Sequence, residues 1–184
     1  MKTLKALRPE EANTQSQTIF QSMKSKLGML PNLYAAMGTS DKLLGGFLAF
    51  SETLKSGEFS PKEQEAIALA TSQTNGCAYC LSAHTALGKM NGFTEEETLQ
   101  LRDKTIADTK LKSLVTLVSE LISEKGDASN KAVQNFLDAG YSKAAFTELI
   151  GLVALTTITN TIYANGGFEI DFPRAQQIDD LVLA

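Results

Sequence analysis

Tryptophan is absent from these 184 residues, histidine occurs once and cysteine twice. Each scarcity excludes something. Two cysteines cannot build the multi-bridge scaffold of a small secreted protein. One imidazole rules out any site assembled from several histidines. A basic excess is also missing: 17 Lys and Arg stand against 21 Asp and Glu, a net charge of −4. That balance does not fit a non-specific nucleic-acid binder, which needs a positive footprint. No apolar run follows Lys2, so the start does not read as a secretory leader. The most apolar stretch, 144–162, is interrupted by Glu148, Asn160 and five threonines. It falls short of the roughly 18 uninterrupted apolar residues of a spanning helix, so no membrane role is expected. A cytoplasmic, reducing location follows as the default.

What is present fits a globular chain, 43% apolar and 21% charged. A chain above about 150 residues buries roughly 68–70% of its unfolded surface, so it needs neither disulfide nor metal to hold a core. One domain spanning 1–184 is expected.

Helix signals dominate. Pro9 with Glu10 and Glu11 predicts a helix towards Lys26, closed by Gly28. Further helices are predicted from Pro31 to Met37 and from Ser40 or Asp41 to Lys55. Ser60-Pro61-Lys62-Glu63 combines an N-cap serine, a first-turn proline and a glutamate at the third position. The helix it opens breaks at Asn75-Gly76. Another runs from Cys77 to Met90, and Thr94 with Glu97 caps a short one to Arg102. Leu111, Leu114, Val115, Leu117, Val118 and Leu121 recur at the amphipathic spacing after Asp108. Helices over 129–139 and 142–163 follow. The tail from Phe168 is expected along the surface or on a partner subunit. No strand alternation is evident, and the fold class is all-α.

Both cysteines and the histidine fall within one eight-residue run, Cys77-Ala78-Tyr79-Cys80-Leu81-Ser82-Ala83-His84. On a helix of 3.6 residues per turn they share one stripe, with Cys80 and His84 at i and i+4. Asn75 is a plausible N-cap, which would place Cys77 in a first turn whose dipole favours a thiolate. An imidazole can take a thiol proton, and a carboxylate can fix its tautomer. Glu65 lies on the preceding helix, which is apolar from Ala66 to Ala70, 11 residues before Gly76, and His84 lies 8 after it. Antiparallel pairing about that turn brings the two side chains to similar heights. A weaker echo aligns Glu65 with Glu148, so that Asn160 answers to Cys77 and Tyr163 to Cys80.

Three readings of the cluster stay open on residues alone. It is a redox dithiol, or a zinc site using Cys77, Cys80, His84 and Glu65, or two buried thiols acting as small apolar groups. Haem attachment is excluded, because Leu81 stands where a histidine would be required.

The run from Leu54 to Asn91, with its Glu-x11-Cys-x2-Cys-x3-His pattern, resembles the carboxymuconolactone decarboxylase superfamily, and within it the alkyl hydroperoxidase D-like branch. Glu65, Cys77, Cys80 and His84 match in identity and spacing. The resemblance implies an all-α bundle that assembles as a homo-oligomer, often a trimer or hexamer. It implies thiol-dependent reduction of small hydroperoxides without a bound cofactor or metal. A lipoyl or thioredoxin-like dithiol donor would restore the thiols. Glu65 and His84 would relay protons, Cys80 would attack peroxide and Cys77 would resolve the sulfenic acid. One departure stands out: well-characterised members of the branch carry histidine between the cysteines, and here the residue is Tyr79. The alternatives are a general dithiol–disulfide oxidoreductase and a zinc-binding or structural helical module.

Overall fold

The computed structural model describes residues 2–178. The described chain forms α1 (Thr14–Leu27), α2 (Asn32–Met37), α3 (Asp41–Leu54), α4 (Pro61–Thr74), α5 (Ala78–Met90), α6 (Glu95–Asp103), α7 (Thr109–Ser123), α8 (Asn130–Asp138) and α9 (Lys143–Ala164). The all-α expectation holds. Among the described residues, pairing of the β type is limited to one bridge between Leu4 and Gly166.

The caps follow the chemistry of the side chains. Ser60, Thr94, Asp108, Ser129 and Ser142 each accept a first-turn N–H, which satisfies a donor the helix cannot. One start differs from expectation. Pro9–Glu11 forms only a 3-10 turn, and Ala12 is extended at φ −82°, ψ 155°. Asn13 accepts the Ser16 N–H and opens α1 instead.

α4 is the central helix, packed by α5, α6, α7 and α9. Every residue from Ala66 to Ser72 is buried. A helix enclosed on all sides loses its amphipathic stripe, and its alanines let neighbours approach closely. Ile67 and Leu69 are fully buried, each contributing about 1.5–3 kcal/mol relative to exposure. Leu114, Leu117 and Val118 of α7, Phe136 of α8 and Leu149 of α9 complete this core.

α9 is more apolar than the sequence reading allows, yet it packs as that reading expects. Its 22 residues have a mean hydropathy of 1.4 in the most apolar window, enough by length and composition to cross a membrane. Here the helix packs against α2, α3, α4 and α5. Its Glu148 accepts the Glu58 N–H at 2.6 Å. Gly57 makes room, since the carboxylate occupies the space a Cβ would take.

Candidate active site

The α4–α5 turn delivers the thiols. Gly76 adopts φ +68°, a left-handed conformation that favours glycine, and the Cys77 N–H then donates to the Ser72 carbonyl at 2.9 Å. This geometry makes Cys77 the N-cap of α5, with its Sγ accepting the Cys80 N–H at 3.3 Å. The expectation that Asn75 caps this helix is therefore wrong. Asn75 ends α4, and its amide instead donates to Asn160 Oδ1 at 2.9 Å. The buried Asn160 donates in turn to Ser72 Oγ at 3.2 Å. One α9 side chain thus fixes the turn that carries Cys77. Tyr163, one turn further on, faces Tyr79 at 5.4 Å between ring centroids.

Cys77 and Cys80 form a disulfide and are 3% and 2% exposed. Their shell is apolar: Leu33, Tyr79, Ile162, Tyr163, Phe168, Ile170 and Phe172. The Glu65–His84 contact expected from helix pairing is present, with Nδ1 2.8 Å from Oε2. An ionised carboxylate only accepts, so Nδ1 carries the hydrogen and the neutral ring keeps its lone pair at Nε2. The side chains are 15% exposed for Glu65 and 24% for His84, so this pair is partly shielded from water. Among the described residues, no group of three His, Cys, Asp or Glu side chains converges as a metal site.

Tyr79 is buried and fully engaged. Its hydroxyl donates to Asp171 Oδ1 at 2.6 Å and accepts the Leu33 N–H at 3.3 Å. Burial, reinforced by the Asp171 carboxylate, pushes its phenol well above the ordinary value. It does not replace the base that a histidine at this position could provide.

Asp171 belongs to a carboxy-terminal strap over residues 168–178, which the sequence reading places along the surface or on a partner subunit. Glu169 O accepts Asn32 Nδ2, Asp171 Oδ2 accepts the Asn32 N–H, the Ala175 N–H donates to Ser82 Oγ, and Gln176 O accepts Arg102 Nη1. The described tail thus packs on its own subunit. Only the spacing of Phe168, Ile170 and Phe172 hinted at a buried face. Burial and the nearby Glu65 charge raise the Tyr34 phenol.

Residues 41–104 match the model of the carboxymuconolactone decarboxylase family. No curated protein matches the chain. Several solved structures share the fold. An uncharacterised peroxidase-related protein from Silicibacter sp. TM1040 is 21% identical, with 96% of this chain and 97% of that one covered and a TM-score of 0.80. A peroxidase-related protein from Ralstonia eutropha JMP134, described as an alkylhydroperoxidase AhpD core, is 16% identical over 93% and 94%, with a TM-score of 0.80. A variant of the debrominase Bmp8, in complex with 2,3,4-tribromopyrrole, is 19% identical over 100% and 97%, with a TM-score of 0.74.

Proposed function

We propose that this chain is a dithiol-dependent hydroperoxide reductase of the carboxymuconolactone decarboxylase superfamily, whose family model its residues 41–104 match and whose alkyl hydroperoxidase D-like fold it shares. The observation that carries the reading is the Glu65–His84 hydrogen bond on the helix pair that also holds the Cys77–Cys80 disulfide. Two devices activate two thiols. His84, one turn after Cys80 with Nε2 unprotonated, takes the Cys80 proton, and Glu65 stabilises the imidazolium through Nδ1–H. Cys77, at the N-cap of α5, has a backbone N–H and the helix dipole to favour its thiolate.

The Cys80 thiolate attacks the terminal peroxide oxygen, the O–O bond breaks, and the imidazolium returns its proton to the departing alkoxide. The products are alcohol and a Cys80 sulfenic acid. Cys77 attacks that sulfur, releasing water and closing the disulfide. An external dithiol of the lipoyl or thioredoxin type reduces the disulfide and becomes oxidised itself.

The enzyme acts as a single domain in the cytoplasm and as a homo-oligomer. The oligomer is supported by an α9 face on which Ile150 remains 51% exposed. A broader dithiol–disulfide oxidoreductase is the second reading, favoured by Tyr79 in place of a base between the cysteines. A debrominase on the same fold underlines that the scaffold alone does not choose the reaction. Steady-state consumption of an organic hydroperoxide, driven by a dithiol and compared in wild type, Cys77→Ser and Cys80→Ser, tests the proposal. Loss in both variants is expected. Equal turnover in all three proteins would refute it.

A further inference from the structure

Tyr79 is one of two residues inside the disulfide loop and also the point on which α2 and the carboxy-terminal strap converge. Its hydroxyl joins the Leu33 N–H of α2 to the Asp171 carboxylate of the strap. The other Asp171 oxygen returns to the Asn32 N–H at 2.7 Å. Phe168 and Phe172 flank the ring edge-on, each at 5.7 Å between centroids. Strap anchors lie on both sides of Asp171, at Glu169 and at Ala175. A movement of the first turn of α5 would carry the phenol away from all of these partners together.

From this convergence we propose that Tyr79 and Asp171 are positioning residues for the dithiol: strap docking through their hydrogen bond holds the 77–80 turn ready for disulfide closure. The inference rests on the redox-dithiol reading of the site. Free-energy coupling is reciprocal. If the docked strap favours the disulfide, the disulfide favours the docked strap, and reduction loosens residues 168–177. Removing the carboxylate leaves the buried phenol and the Asn32 N–H without their acceptor, and removing the hydroxyl leaves the Leu33 N–H without its acceptor and Asp171 Oδ1 without its donor. Either change frees the turn that the strap holds.

The test is the midpoint potential of the 77–80 couple in thiol–disulfide redox buffers, for wild type, Asp171→Ala, Asp171→Asn, Tyr79→Phe and Tyr79→Phe/Asp171→Ala. Disulfide formation should become about tenfold less favourable in Asp171→Ala and in Tyr79→Phe, a shift of about 30 mV towards easier reduction. The double variant should shift by less than the sum of the two single ones, because both changes break the shared Tyr79–Asp171 bond. Asp171→Asn keeps the side-chain shape and guards against a folding defect in the alanine variant. It should shift in the same direction. Ser82→Ala removes an outlying strap anchor and the Ser82 Oγ bond to the Ala78 carbonyl, and should shift the potential in the same direction but by less than the loss of the Tyr79–Asp171 bond. Amide exchange over 168–177 should be several-fold faster in reduced than in oxidised wild type. Folded variants with the wild-type potential, an equal shift in Ser82→Ala, or strap exchange indifferent to redox state would each overturn the inference. A wild type that cycles normally with unmoved variants defeats the positioning role alone. A wild type that does not cycle defeats the redox reading beneath it.

Discussion

Glu65→Gln isolates the role of charge in the relay. Glutamine keeps the length of the side chain and an oxygen able to accept from His84 Nδ1, so the 2.8 Å contact can survive in shape. What disappears is the negative charge that stabilises the imidazolium when His84 holds the Cys80 proton. A hydrogen bond to a charged partner contributes roughly 1.5–3 kcal/mol and a neutral one roughly 0.5–1.5. The difference is about 1–1.5 kcal/mol, and with both side chains less than a quarter exposed, water weakens it little. Since about 1.4 kcal/mol is a factor of ten in rate, Cys80 oxidation should slow about tenfold. His84→Ala removes the base itself and should cost about 100-fold or more. The double variant should be no slower than His84→Ala, because Glu65 acts only through the imidazole. The assay is quenched-flow mass analysis of pre-reduced protein with one equivalent of an organic hydroperoxide, a single turnover that excludes regeneration. A wild-type rate in Glu65→Gln, or a further tenfold loss in the double variant, would refute the relay.

Other predictions follow from the same geometry. Cys77→Ser should react once with peroxide and stop at a Cys80 sulfenic acid that a dimedone-type probe traps, whereas Cys80→Ser should give no adduct at Cys77. Asn160→Ala leaves Asn75 and Ser72 without a partner behind the Cys77 turn. It should cost about 1–3 kcal/mol, or about 2–12 °C in Tm at 2–4 °C per kcal/mol, measured by thermal unfolding. Tyr79 and Tyr141 have phenols raised by burial, so the unfolded chain loses those protons first. Their contribution to stability is complete below the ordinary phenol value of about 10 and declines as pH rises beyond it. Denaturant titrations should show an alkaline limb that is shallower in Tyr79→Phe.

Much of the helical framework and the Glu65–His84 pair could be read from local chemistry. Ser60 with Glu63, and Thr94 with Glu97, are caps whose partners lie three residues away, so the contact is written in the spacing. Glu65 and His84 are joined by one tight turn, and antiparallel pairing fixes their heights. Where two local signals competed, the choice was not visible. Pro9 reads as the start of the first helix, but the extended Ala12 ends its turn and Asn13 caps α1 instead. Asn75 and Cys77 could both cap α5, and the left-handed Gly76 gives the role to the sulfur. The α9 stretch looked too polar, yet four of its threonines bond to carbonyls of their own helix. For the buried Thr156 and Thr159 those bonds satisfy the hydroxyls away from water. The strap was illegible for another reason. Tyr79 and Asp171 are 92 residues apart, and nothing in the sequence distinguishes one carboxylate among 21 acidic residues.

The central claim is that Cys77 and Cys80 are a working dithiol that spends its electrons on a peroxide bond. It is tested most directly by the intact mass of fully reduced protein after one equivalent of an organic hydroperoxide, with the alcohol quantified in the same sample. The account predicts loss of two hydrogens per chain, a Cys77–Cys80 bridge in the peptide map and one alcohol per bridge formed. An unchanged mass, or oxygen gained on methionine while both thiols stay free and reactive, would contradict it.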